Sequence, residues 1–399
     1  MEKWIDREEK TLLNTYNRMP LVVSHGKGCY LYDDSGKKYL DMFSGLAVNA
    51  LGHCHPELVG EGKKQLEKYL HISNFFYCKQ AIALGEDLIS RSFPGKVFFT
   101  NSGTEGVEAA IKYLYKIGKQ KGRRGIVSLR GSFHGRTLGA LGLTKIPSVS
   151  RDFPVIDYPV YEISRESLKE LETLFENERP VGIILEPVSG SGGIEVLSRE
   201  EMTGISHLCK KYDVVLCLDE IQTGIGRTGK FFAYQHYDVV PDIVIFAKGA
   251  GGGNPLGGML VHKDMDGYFL PGDHGTTFGP GPLSAAMGRK VLEIIDEDFL
   301  ADVAVKSRLL LEGLEKLQEK FPESLGAIRG MGLMIGIDLK IDPSRLKEDI
   351  LEEQVLVNIT AKNVLRLLPP LIIREVEIQE FLKALENVLK KTESSFIPD

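Results

Sequence analysis

Residues 243–253 read Ile-Val-Ile-Phe-Ala-Lys-Gly-Ala-Gly-Gly-Gly, an apolar run that ends in Lys248 and then breaks into glycines. A short, continuous apolar run bounded by glycine is the pattern of a strand buried on both faces, as in a parallel sheet. Four more such runs precede it: Val97–Thr100, Gly125–Leu129, Val181–Glu186 and Val214–Asp219. Amphipathic stretches separate them. Val107, Ile111, Leu114 and Ile117 fall on one helical face, and Ser198 with Glu201 forms a capping box ahead of Met202, Ile205, Leu208 and Cys209. This alternation predicts an α/β fold, a mostly parallel sheet with helices on its faces.

Beyond about residue 290 the texture changes to long helices and a few strands. Ala301–Leu317 and Phe381, Leu382, Leu385 and Leu389 read as helices, with another capped at Ser344; Gly332–Leu339, Val355–Asn358 and Val364–Leu368 read as strands. Residues 56–290 are therefore expected to form a large domain and 291–399 a smaller α+β domain. Residues 1–55, with strand-like Cys29–Tyr32 and Lys38–Asp41 around a turn at Asp33–Gly36, are expected to pack with the small domain.

Across 399 residues, 49 Lys and Arg stand against 55 Asp and Glu, a net charge of −6. That balance disfavours nucleic acid, which needs a clustered basic surface. No apolar run approaches the ~18 residues of a membrane span, and the first 25 residues lack the core of a secretory signal, so a cytoplasmic location without membrane contact is expected. Five cysteines at irregular spacing, with no CxxC, are expected to remain reduced. His53-Cys54-His55 has no third cluster to complete a metal site, so no metal is expected.

Three predicted strands end in an ionisable group, at Glu186, Asp219 and Lys248. In open α/β sheets the ligand crevice lies outside those carboxyl ends. An amine following five apolar residues is partly desolvated, which lowers its pKa and makes it a nucleophile toward carbonyls. A lysine of this kind beside a strand-end aspartate points to pyridoxal phosphate: the amine holds the aldehyde as a Schiff base, and the carboxylate keeps the pyridine nitrogen protonated. Asn101-Ser102-Gly103-Thr104-Glu105, joining a strand to a helix, offers a phosphate cradle. Phe133, in Ser132-Phe133-His134-Gly135-Arg136, is placed to cover the ring.

Gly224–Lys230, GIGRTGK, fits the first seven positions of a P-loop, but Phe231 stands where the Mg²⁺-binding Ser or Thr belongs. A nucleotide-binding protein is thus the alternative from another class, and it fails at that position.

These motifs, with SGLAVNALGHCHP (44–56), ILEPV (184–188), LDEIQTGIGRTGKFFAYQHY (218–237), PGDHGTTFG (271–279), RGMGLMIGI (329–337) and LRLLPPL (365–371), resemble the class III, subgroup II pyridoxal-phosphate aminotransferases, and among them most closely the acetylornithine aminotransferases. The resemblance runs from about Asn14 to Leu389 and implies a fold-type I transferase. It also implies a homodimer, or a dimer of dimers, with active sites at the interface. By it, Lys248 is the Schiff-base lysine, Asp219 the pyridine-nitrogen partner and Gln222 a donor to the ring oxygen. Ser102, Gly103 and Thr104 serve the phosphate, Phe133 and His134 the ring, and Thr277 reaches the phosphate of the other subunit. Arg136 and Thr276 are implied substrate contacts, and Arg366 receives the α-carboxylate of glutamate, a task suited to its planar fork.

The implied reaction moves the ω-amino group of acetylornithine to 2-oxoglutarate, giving glutamate, as in arginine biosynthesis. Succinylornithine, ornithine, an acylated lysine and 4-aminobutyrate are the alternative ω-amines. Gly45 stands about where ornithine δ-aminotransferases carry a tyrosine, which leaves room for an acyl group. The chain departs from the family at Ser189 and Ser191, usually Gln and Glu, and at Pro280-Gly281, usually Gly-Asn. With no carboxylate at 191 to cover Arg366, the glutamate half-reaction is expected to outrun the acetylornithine half-reaction unless another carboxylate substitutes.

Overall fold

The computed structural model describes residues 2–153, 158–165 and 167–394; Met1 and the last residues of the C-terminal segment lie outside them. A seven-stranded sheet forms its centre, in the order Gly95–Thr100, Gly257–His262, Ile243–Phe246, Val215–Asp219, Gly182–Leu185, Ile126–Leu129 and Val160–Ile163. Gly257–His262 runs antiparallel to both neighbours and the remaining pairings are parallel. All five predicted strands are present within a residue or two. The antiparallel strand and the edge strand Val160–Ile163 were not anticipated, because Gly257-Gly258 reads as loop and Tyr161-Glu162 interrupts an apolar run.

Helix Gly103–Lys121 packs against this sheet through Val107, Ala110, Leu114 and Ile117, all buried. It opens on a capping box made by Ser102 and Glu105 and closes on Gly122 in the left-handed conformation. The anticipated box at Ser198 and Glu201 opens helix Arg199–Tyr212. The helix expected to be capped at Ser344 instead spans Pro343–Glu352. Asp342 is its N-cap, since its carboxylate accepts the Ser344 N–H and Pro343 fills the first helical position.

A four-stranded sheet in the order Leu325–Met331, Met334–Leu339, Val364–Leu367 and Asn358–Thr360 lies in the C-terminal part of the chain, with helices Glu297–Lys320 and Glu375–Ser394. Val23–Lys27, Tyr30–Asp33 and Lys38–Asp41 form a further sheet, and Val355–Leu356 joins it parallel to Lys38–Asp41. Among the described residues no helix is long and apolar enough to cross a membrane, and no group of three potential ligands could hold a metal. All five cysteines are free.

Gly182 lies beneath Leu114, so that a Cβ at 182 would stand 2.8 Å from Leu114 Cδ2. Leu114→Ala opens a cavity at this contact and is expected to lower unfolding free energy by about 2–5 kcal/mol. Urea denaturation measures it, and an unchanged midpoint would show that the helix stripe does not carry the packing.

Candidate active site

The strands ending at Leu185, Asp219 and Phe246 deliver Glu186, Asp219 and Lys248 to one cavity of about 660 Å³. The sheet ends where each strand leaves its pairing, and the parallel arrangement makes all three leave on the same side. Lys248 begins a short 3-10 turn with φ of 47°. Among the described residues its amine has no hydrogen-bond or ion-pair partner. Burial, reinforced by Arg366, lowers its pKa to about 8 against the opposing pull of Asp219 and Glu186.

Asp219 Oδ2 is 2.7 Å from His134 Nδ1, and its Oδ1 accepts the Ile221 N–H at 3.1 Å. Burial alone would depress His134, but the hydrogen bond and charge of Asp219 raise it overall. The His134 ring nitrogen Nε2 is buried without a partner. Glu186 accepts N–H bonds from Phe133 and Gly190, each 3.0 Å; burial raises its pKa, while His134 opposes that rise.

The N-terminus of helix Gly103–Lys121 opens into the same cavity, with Asn101, Ser102, Gly103 and Thr104 in its wall. Glu105 takes the N–H groups of Asn101 (2.6 Å) and Ser102 (3.0 Å), so the next N–H groups, at Gly103 and Thr104, remain for an anion. Phe133 lines the cavity, and the Arg136 guanidinium lies 5.6 Å from its ring centroid.

Arg366, on strand Val364–Leu367, is 5% exposed. Burial lowers its pKa to about 10. Its Nε and Nη2 donate to Asn358 Oδ1 at 3.0 and 2.6 Å, and its Nη1 donates to the Gly190 carbonyl at 3.0 Å and Gln222 Oε1 at 3.4 Å.

Lys248, Asp219, Ser102, Gly103, Thr104, Phe133, His134, Gln222, Arg136 and Arg366 thus share one cavity. Gly45 is not in its wall. It lies in a left-handed turn, Ser44–Ala47, whose φ values are all positive, and that turn presents Leu46 to the cavity instead. Thr276 and Thr277 also lie outside this cavity, with His274 and Phe278 around a separate pocket. Thr276 Oγ1 accepts from Asn101 Nδ2 at 3.1 Å. GIGRTGK is a loop whose Arg227 is buried against the carbonyls of Leu333 and Pro369, while Lys230 is exposed, so it forms no phosphate cradle.

Residues 12–389 match the family model for class-III aminotransferases. The chain belongs to that family. It is 43% identical to an acetylornithine aminotransferase of Caldanaerobacter subterraneus over 97% of this chain and 99% of that protein. An ornithine aminotransferase from Toxoplasma gondii superposes with a TM-score of 0.93 at 26% identity, covering 99% and 95% of the two chains. An N-acetylornithine aminotransferase from Stenotrophomonas maltophilia gives 0.85 at 31% identity, covering 98% and 100%.

Class-III aminotransferases use pyridoxal phosphate, and the cavity fits it. An amine without a partner among the described residues, a buried carboxylate and a helix N-terminus line it, the groups that an aldehyde, a pyridine nitrogen and a phosphate would require.

Asn358 was missed by the sequence reading, which ended a strand there. The signal was a polar residue in an apolar run, Val355-Leu356-Val357-Asn358-Ile359, but only pairing opposite Arg366 gives it meaning.

Because Lys248 loses its proton as pH rises through about 8, capture of pyridoxal phosphate by the cofactor-free protein should accelerate from pH 6 to 9 and then level off. Borohydride trapping and peptide mapping should place the label on Lys248. A label on another lysine, or a rate flat across that range, would contradict this assignment.

Proposed function

We propose that this aminotransferase moves the ω-amino group of N-acetylornithine to 2-oxoglutarate, giving N-acetylglutamate 5-semialdehyde and glutamate, a step of arginine biosynthesis. The observation that carries the reading is one cavity holding a desolvated lysine, a buried aspartate and two arginines, Arg136 and Arg366, placed for substrate carboxylates. Relatives named acetylornithine aminotransferase at 37–43% identity support the choice of substrate.

Bound pyridoxal phosphate supplies an electron sink that weakens the C–H bond beside the substrate nitrogen. Lys248 would hold the cofactor between turnovers, and its amine, free in the presence of substrate, would move the proton at that carbon. Its lowered pKa keeps it competent as a base near neutral pH. Asp219, oriented by His134 and the Ile221 N–H, holds the proton on the pyridine nitrogen. Gly103 and Thr104 offer N–H groups to the phosphate, Ser102 caps the helix that aims them, and Phe133 covers one ring face. Gln222 uses its Oε1 on Arg366, leaving Nε2 to donate to the ring oxygen. Leu46, Ile221 and Leu256 give the cavity an apolar part of its wall.

Arg366 receives the α-carboxylate of glutamate and 2-oxoglutarate, and Arg136, nearer the exposed mouth, receives the remaining carboxylate. The turn that holds Gly45 presents Leu46 to the cavity, so the group beside an acylated α-nitrogen is an aliphatic side chain rather than open space at Gly45.

We further propose a homodimer in which Thr277, with Thr276 beside it, completes the partner's site. Phe75 and Tyr77 are 95% and 96% exposed, and Asn74 Nδ2 ties their loop to the Thr276 carbonyl at 2.8 Å, so one apolar surface adjoins both threonines. We place the reaction in the cytoplasm, where five free thiols stay reduced.

Purified enzyme given N-acetylornithine should convert its cofactor to the amine form with a kcat/KM at least tenfold above that for ornithine or 4-aminobutyrate. A preference for ornithine would transfer the chain to the alternative ω-amine reading. Thr277→Val should raise the cofactor dissociation constant about tenfold through loss of one charge-assisted hydrogen bond, with the dimer preserved in sedimentation. A fully active monomer would remove the shared-site arrangement.

A further inference from the structure

Arg366 is a buried cation whose every hydrogen-bond partner is neutral. Asn358 Oδ1, the Gly190 carbonyl and Gln222 Oε1 are the acceptors, and among the described residues no carboxylate is paired with it. The two candidates for that pairing are otherwise engaged or missing. Glu186 is turned onto the N–H groups of Phe133 and Gly190, and residue 191 is serine.

The geometry assigns partners to the five guanidinium N–H groups unequally. Asn358 stands directly opposite Arg366 on the neighbouring antiparallel strand, so its side chain rises on the same face and meets the Nε and Nη2 edge. Nη1 donates to the Gly190 carbonyl at 3.0 Å and, more weakly, to Gln222 Oε1 at 3.4 Å. One Nη2 hydrogen remains unassigned. The edge made by Nε and Nη2 is held by Asn358, so the open end of the fork is the Nη1–Nη2 end, where a carboxylate can dock in bidentate fashion by displacing one of the two Nη1 bonds.

We propose that Asn358 determines specificity for the substrate pair that carries a carboxylate beside the reacting carbon. It acts as a neutral backstop: it fixes the direction of the Arg366 fork and, with Glu186 acting on the arginine only through space, leaves its charge without a paired carboxylate until an α-carboxylate arrives. A carboxylate at 358 would hold the same edge and neutralise the arginine, so the site would no longer favour an α-amino acid over an ω-amine. The proposal rests on the reading that Arg366 receives the glutamate carboxylate.

The test uses the holoenzyme of wild type, Asn358→Asp, Asn358→Ala and Arg366→Gln, with single-turnover kinetics for glutamate and for N-acetylornithine read from cofactor absorbance. Arg366→Gln checks the underlying reading: it should raise the glutamate half-saturation concentration at least tenfold, and no rise would show that the carboxylate docks elsewhere. Asn358→Asp is nearly isosteric. It should lower the ratio of glutamate to N-acetylornithine half-reaction efficiency at least tenfold, chiefly through weaker glutamate saturation. Asn358→Ala should lower that ratio less, because the arginine loses its direction and keeps its charge. If Arg366→Gln behaves as stated while Asn358→Asp leaves the ratio within twofold, or if both half-reactions fall in parallel, Asn358 is only structural and the proposal is wrong.

Discussion

Five ionisable groups, Lys248, Asp219, Glu186, His134 and Arg366, line one crevice, and the rest of the site follows from how unequally the fold satisfies them. An isolated buried charge costs several kcal/mol, so each must be paired, hydrogen-bonded or neutralised. Asp219 receives a ring nitrogen and a backbone N–H; Glu186 receives two backbone N–H groups. Arg366 receives carbonyl oxygens only. Lys248 receives nothing and yields its proton readily instead. Among the described residues its amine and the buried His134 Nε2 are the groups of this set left without a partner.

The crevice is closed by contacts between segments distant in sequence. The two-stranded hairpin of Val188–Ser189 and Glu195–Val196 carries Gly190 to Gly193 at its tip, and three backbone carbonyls there are claimed from the C-terminal sheet and its loops. Arg366 Nη1 donates to Gly190, Thr360 Oγ1 to Ser191 at 2.9 Å and Arg329 Nε to Gly193 at 3.0 Å. Arg227, fully buried in the loop after Asp219, adds bonds to the carbonyls of Leu333 and Pro369. Hydrogen bonds donated by cations to backbone carbonyls are stronger than neutral ones, and they fix direction as well as distance. Arg366 and Lys248 are thereby held in one crevice although 118 positions separate them in the sequence.

Local chemistry made much of this legible beforehand. Continuous apolar runs, capping residues and glycine turns act over a few residues, so the five core strands and the box at Ser198 were readable without a structure. The strand-end positions of Lys248 and Asp219, the helix N-terminus at Gly103 and the broken P-loop pattern at Phe231 were readable for the same reason. The family motifs pointed to Arg136, Gln222 and Arg366, which no local pattern marks and which the fold brings into the cavity.

Tertiary structure alone decided what depends on pairing across the chain. Gly257–His262 became a central strand because its antiparallel register fills the gap between Ile243–Phe246 and Gly95–Thr100, despite a glycine start that local propensity disfavours. His134 became the partner of Asp219 through a contact spanning 85 positions. Gly45 was displaced from the cavity wall by its neighbour Leu46, because a left-handed turn rotates side chains in a way that residue spacing does not predict. The cover of Arg366 followed from strand register, which sets Asn358 opposite it. A sequence specifies which residues can hold a charge, whereas register and burial determine which of them meet.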